Sequence, residues 1–205
     1  MYRKQISWHL VLEALVRKSL RLLALMILLF SAALARPQDR SAPDISSRVP
    51  AAKLADVDSI DHIMFAIYDV ISGPPGQRDW NRFRSLFVPE GRLTSTVRRE
   101  GSDSVRLLTV EEYVNGAGKY FLANGFFESA VVNKVQRFGN IAHVFSSYES
   151  RHAVGEKPFT RGINSMQLLY DGKRWWVLSI LWDEESAANP LPKDMAARPS
   201  APATQ

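Results

Sequence analysis

The densest apolar stretch of the chain lies near its end, where residues 168–185 read LLYDGKRWWVLSILWDEE. Two β-rich runs meet there at Asp171-Gly172, a dipeptide that signals a hairpin when it joins such runs. The second run, 175–182, is apolar at seven of eight positions, with Ser179 its single polar side chain. A half-solvated strand alternates apolar with polar residues, so this one is expected to be covered on both faces. Strict alternation places Trp175, Val177 and Leu181 on one face and Trp176, Leu178, Ile180 and Trp182 on the other. Helices can cover one side. A second copy of the chain, meeting the first across a two-fold axis, is the expected cover for the other. The segments 36–53 and 186–205 look too polar to fold back over it.

Upstream the period changes from two to nearly four. Ile60, Ile63, Met64, Ile67 and Ile71 recur at helical spacing, with Asp56 or Asp58 as the candidate cap. Gly73-Pro74-Pro75-Gly76 ends that helix. Asp79 can cap a short second helix that buries Trp80, Phe83, Leu86 and Phe87 and is closed by Pro89 and Gly91. Residues 93–99 and 105–108 are strand-like around a polar turn. Thr109-Val110-Glu111-Glu112 is a capping box, opening a third helix with Tyr113, Val114, Ala117 and Phe121 on one face. Beyond Gly125 four strands are predicted, over 126–137, 141–153, 159–170 and 174–182, with turns at Gly139-Asn140, Gly155-Glu156 and Asp171-Gly172. Helices followed by a meander predict an α+β fold, a curved antiparallel sheet wrapped around about three N-terminal helices.

Charge and composition assign the flanks. Residues 1–35 carry five bases and one acid, so of the formal +5 only +1 belongs to residues 36–205. A near-neutral body gives no electrostatic case for nucleic acid. The uncharged run 22–35, LLALMILLFSAALA, follows Arg17, Lys18 and Arg21 and ends in Ala33-Leu34-Ala35. It reads as a secretory signal peptide, residues 1–35, with export to the periplasm or medium after cleavage. Its fourteen residues would rise only about 21 Å as a helix, short of a ~30 Å hydrocarbon core. The alternative is a leader retained as a membrane anchor. Residues 36–53 read as a disordered linker, 54–185 as the domain and 186–205 as a disordered tail. With no cysteine in the chain, disulfides and thiolate metal sites are excluded. No cofactor is indicated, and the histidines lack partners at metal-ligand spacing.

The order of elements resembles the nuclear transport factor 2-like superfamily, with its cystatin-like cone roll. The residues that carry the resemblance are Asp79-Trp80, the run Leu86-Phe87-Val88-Pro89-Glu90-Gly91-Arg92-Leu93, the helix after Thr109, and Asp171-Gly172-Lys173-Arg174-Trp175 followed by Leu181-Trp182. It covers residues 54–185. The superfamily includes ketosteroid isomerases, SnoaL-like polyketide cyclases and small binding proteins. The resemblance implies a pocket between helices and sheet, and a homodimer through the sheet's outer face. It does not transfer a reaction, because this fold hosts many chemistries. Isomerisation needs a carboxylate base, with a Tyr and a protonated acid to hold the oxyanion. By position the base would fall at Ser95, the acid at Met166 or Asn164, and the Tyr at Ala66 with Tyr68 close by. None is matched.

Two functions follow. One is an exported, non-catalytic module that binds a small apolar molecule or a protein partner. The other is a cyclase, isomerase or hydratase using an acid–base residue, for which Glu149 with a bound water, or His143, is the first candidate. The pocket residues expected are Trp182, by its place in the resemblance, and Tyr68, His143, Ser147, Asn164 and Met166 as scattered polar or soft groups. His143 and Glu149 lie ~20 Å apart along a strand, too far for one dyad.

Overall fold

The computed structural model describes residues 44–99 and 102–196. The expected signal peptide, and residues 36–43 and 197–205 of the expected linker and tail, lie outside the described residues. What is described falls in one compact unit with a core of its own.

A single turn, α1 (Leu54–Val57), precedes α2 (Ile60–Ile71), α3 (Trp80–Leu86) and α4 (Val110–Ala123). The cap of α2 is Ser59, whose side chain accepts from the His62 N–H, and neither Asp56 nor Asp58 takes that place. Asp56 is drawn away by a stronger partner. Arg82 donates to its two oxygens at 2.8 and 2.9 Å and reaches Asp69 at 2.6 Å. This fork of charge-assisted bonds ties α3 to α1 and α2 at a half-buried site. Asp79 caps α3 and the Thr109–Glu112 box caps α4, both as the sequence predicts. Between α2 and α3 the Gly-Pro-Pro-Gly loop is held by one side chain. The Arg78 guanidinium donates to the carbonyls of Ile71, Gly73, Pro74 and Gly76 at 2.8 to 3.1 Å and lies over the Phe121 ring.

Six strands form one sheet in the order β2-β1-β6-β5-β4-β3. They are β1 (Phe87–Arg99), β2 (Ser102–Thr109), β3 (Phe127–Phe138), β4 (Ile141–Arg151), β5 (Thr160–Tyr170) and β6 (Trp175–Glu184). The sheet is mixed where a wholly antiparallel one is predicted, since β1 runs parallel to β6. A parallel pair needs a long crossover, and the chain supplies it through β2, α4 and the β3–β5 meander. β1 also begins earlier than predicted, running through Pro89 and Gly91. Its pairing with β6 is interrupted between Phe87 and Arg92, so the missing proline N–H falls where no ladder bond is needed.

A second irregularity corrects the expected faces of β6. Between Gln167 and Leu168 of β5 the register of β6 skips Leu178, a bulge. The extra residue reverses parity, so Trp175, Val177, Ile180 and Trp182 all point towards the helices. Trp176, Ser179 and Leu181 take the outer face. Trp176 is nonetheless fully buried: the Arg174 guanidinium stacks 3.6 Å from its ring centroid and its Nε1–H donates to Asp171.

The flanking segments also depart from expectation. Residues 44–53 include a 3-10 turn, Ile45–Arg48, capped by Asp44 and tied to β1 by an Arg48–Glu90 ion pair. Residues 186–196 fold back across the outer face and end in a second 3-10 turn, Lys193–Met195. Met195 is 1 % exposed, Pro190 and Leu191 wall a groove over Ile163 and Leu181, and the polar atoms find partners. Leu191 N–H donates to Glu185, Arg161 donates to the Ala196 carbonyl, and Lys134 pairs with Asp194. A few apolar residues suffice to make a strap because the strand side chains satisfy its polar ones.

Candidate functional site

The inner face of the sheet and the helices enclose a cavity of about 430 Å³, a size suited to a small molecule. Its walls are largely apolar, with Ile67, Phe83, Leu93, Phe121, Met166 and Trp182 among them. Tyr113 of α4 stacks on Phe83 at 5.2 Å and meets Trp182 edge-on at 6.4 Å, which fixes the helix over the sheet.

Glu112, Glu128 and Glu184 are among the lining carboxyls, and Glu112 is engaged in the Thr109 capping box. Glu128, near the start of β3, stands directly opposite Ser150 of β4, whose hydroxyl donates to it at 2.7 Å. Because Glu128 lines the cavity its surface is not wholly closed, yet burial dominates its titration. Burial pushes the carboxyl up to about 7, against the opposing pull of Ser150 and Asn164. Beneath it runs a buried polar chain: Asn164 Nδ2 donates to Tyr68 Oη at 3.1 Å, and Tyr68 Oη lies 2.6 Å from Ser146 Oγ. Burial likewise drives the Tyr68 phenol up, so it stays neutral.

Tyr113, Tyr120 and Tyr148 line the cavity as well, and the Tyr113 and Tyr148 hydroxyls have no hydrogen-bond partner among the described residues. Burial raises both of these phenols, and the charge of Glu128 adds to the effect. Tyr148 fits because Gly162 is its partner across β4 and β5. A Cβ at Gly162 would come within 2.6 Å of the Tyr148 hydroxyl and 2.3 Å of the Asp183 carbonyl. The Tyr113 and Tyr148 O–H donors and the Glu128 carboxyl, half-ionised near neutrality, thus lie in one largely apolar cavity. Such a set can hold an oxygen-bearing ligand by hydrogen bonds and can exchange a proton with it.

Of the residues expected at a site, Asn164, Met166 and Trp182 line the cavity. Tyr68 lies behind Asn164, under the floor. His143 and Ser147 stand on the outer face, away from the cavity, because Val144, Ser146 and Tyr148 take the inner parity of β4. His143 there meets Ser165 Oγ at 3.0 Å, and Ser147 Oγ accepts from the Val132 N–H. Glu149 is on that face as well, paired with Arg151 and Arg161. Ser95, at the position the resemblance gives to an isomerase base, lines the cavity as a hydroxyl. Glu128, Tyr113 and Tyr148 are among the polar lining groups that sequence reasoning missed. Phe126 and Glu128 share parity, but only the pairing with Ser150 shows which face they take. Among the described residues, no group of three His, Asp or Glu side chains is gathered as a metal ion would require.

The sequence matches no family model and no curated protein. Solved structures do resemble the fold. A nuclear transport factor 2-like protein of unknown function from Silicibacter pomeroyi is 12 % identical, with a TM-score of 0.46 over 62 % of this chain and 94 % of its own. A protein of unknown function with a cystatin-like fold from Nostoc punctiforme is 12 % identical, with a TM-score of 0.49 over 62 % of this chain and 90 % of its own. A candidate dehydratase of the nuclear transport factor 2-like family from Streptomyces avermitilis is 15 % identical, with a TM-score of 0.48 over 64 % and 97 %. At these identities likeness bears on fold alone. The helices packed on one face of a six-stranded mixed sheet make this an α+β fold.

Proposed function

We propose that the cone cavity binds a small, largely apolar molecule carrying an oxygen function, with that oxygen seated at Glu128, in a protein exported by its leader. The observation that supports this most is the convergence of the Glu128 carboxyl and the unpartnered Tyr113 and Tyr148 hydroxyls within apolar walls. A ligand oxygen in the cavity would give these hydroxyls a hydrogen-bond partner. Native mass spectrometry of protein from its own host is the test. A small molecule should travel with the parent and be lost from Met166→Trp, which fills the cavity. A parent that carries no ligand and takes up no added apolar ketone or alcohol overturns the reading.

The titration of Glu128 favours a second reading of the same cavity. A carboxyl poised near 7 can give and take a proton at neutral pH, as an isomerase, dehydratase or cyclase requires. Incubation of the bound ligand in heavy water separates the two. Deuterium entering a carbon position with the parent, and failing to enter with Glu128→Gln, supports catalysis. No exchange with either supports binding alone.

A homodimer accompanies this proposal, through the part of the outer face that the strap leaves open. There Leu107, Phe145 and Leu181 are 72 %, 36 % and 47 % exposed.

A further inference from the structure

One end of the sheet carries an apolar patch that serves neither the core nor the cavity. β3 and β4 join there through Gly139-Asn140, with Gly139 in the left-handed region at φ 55°. So tight a turn sets Phe138 and Ile141 directly opposite one another. Phe138 is 84 % exposed and Ile141 59 %. They share the outer face, yet the polar row Gln136, His143, Gln167 and Ser179 separates them from Phe145 and Leu181.

Bases rim this tip. The β5–β6 turn is tied to it by the Tyr170 N–H, which donates to the Asn140 carbonyl at 2.8 Å, and presents Lys173 to solvent. Arg137 is exposed beside it, its guanidinium 5.0 Å from the Trp175 centroid. The acids nearby are engaged. Asp171 accepts from Trp176 and from the Lys173 and Arg174 N–H groups, and Asp44 accepts from Ser46. The described residues begin near this end, since Arg48 pairs with Glu90 in the early part of β1, which runs beside the start of β6. Residues 36–43, at most about 29 Å of extended chain, connect them to the apolar run 22–35.

We infer that the β3–β4 tip docks on an anionic lipid surface, with Phe138 and Ile141 entering the headgroup region and Arg137 and Lys173 meeting lipid phosphates. An aromatic side chain beside bases is the composition that suits the membrane–water boundary. Two apolar anchors make a weak and reversible contact. A leader retained in the bilayer would raise the effective concentration of the tip at the surface without adding a contact. A second copy of the chain suits this patch less well, because a stable interface needs a broad surface and the tip is a narrow projection.

The test uses residues 44–205, the compact unit, and vesicles of phosphatidylcholine with and without phosphatidylglycerol. The parent should sediment with the anionic vesicles, and Phe138→Ser with Ile141→Ser should lower the partition coefficient about tenfold or more. Phe65→Ser, which removes an exposed aromatic elsewhere, should leave partitioning unchanged. In Phe138→Trp the new indole should shift to the blue on vesicles and be quenched by brominated acyl chains. Unaltered melting of the double variant would show that it still folds. No parent binding at millimolar lipid, equal partitioning of parent and double variant, or an unquenched Phe138→Trp overturns the inference. So does a parent dimer that the double variant loses, which would make the tip a protein contact.

Discussion

Consider replacing Glu128 by Gln, which keeps shape and the ability to accept from Ser150 but removes the ionisation. Burial raises this carboxyl from the ordinary glutamate value of 4.5 to about 7 in the folded protein. Below the lower value the group is protonated in both folded and unfolded chains, and it costs folding nothing. As pH rises from there the unfolded chain gives up its proton while the folded one keeps it, so stability falls until the folded group ionises too. The gap of about 2.5 between the two values, at ~1.36 kcal/mol for each pH unit, amounts to roughly 3 kcal/mol lost by pH 8. In a domain of this size that corresponds to a melting point lower by roughly 6–12 °C. Glu128→Gln avoids the loss. Urea unfolding of parent and variant should give similar stabilities at pH 4.5 and diverge as pH rises, the variant becoming the more stable. Taking the difference between them removes the other titrating groups. A variant whose stability runs parallel to the parent from pH 4.5 to 8 would refute the buried, proton-retaining carboxyl, and with it the acid–base reading of the cavity.

Arg78→Ala should destabilise the domain by about 3 kcal/mol or more, since it strips the donors from four loop carbonyls; Arg78→Lys should not restore it in urea melts, because a point charge cannot span them. Phe83→Ala should cost ~3–5 kcal/mol, and a melting point within a degree or two of the parent would show that α3 packs otherwise. Sedimentation equilibrium at micromolar concentration should give a dimer that Leu181→Asp dissociates, and a clean parent monomer ends the dimer proposal. N-terminal sequencing of protein from its own host should begin at or near Arg36, whereas a chain retaining Leu22 in the membrane fraction would show that the leader stays.

The four strands of the meander were legible within one or two residues, because Gly139-Asn140 and Asp171-Gly172 interrupt long β-branched and aromatic runs. The caps at Asp79 and Thr109 were legible for the same local reason. Facing was not. Leu178 is one residue too many in its ladder, and a bulge leaves no mark in the alternation that it reverses. That residue moved Trp175 and Val177 to the side of Ile180 and Trp182, and a similar uncertainty placed His143 and Ser147 in the cavity. Glu128 carries no local signal, because a glutamate amid strand residues reads as solvent-facing. Its partner Ser150 is remote in sequence, and only the register of β3 on β4 brings the two together. Average polarity misleads for the strap, where Pro190, Leu191 and Met195 and the charges of Lys134 and Arg161 are what count. Asp56 looked like a cap until Arg82, far along the chain, claimed it.

β6 is both the last strand to be synthesised and an interior strand of the sheet, joining β1 on one side to β5 on the other. Before it is in place the chain holds two unconnected ladders, β1 with β2 and β3 with β4 and β5, each with a bare edge where β6 will lie. The β5–β6 pairing is a local hairpin, but the β1–β6 pairing that completes the union is distant in sequence, which makes for slow folding and leaves sticky edges exposed meanwhile. A chain stopped before Arg174 would therefore lose the link between its halves and not merely a terminal strand. Its folding should be all or nothing, with completion waiting on β6.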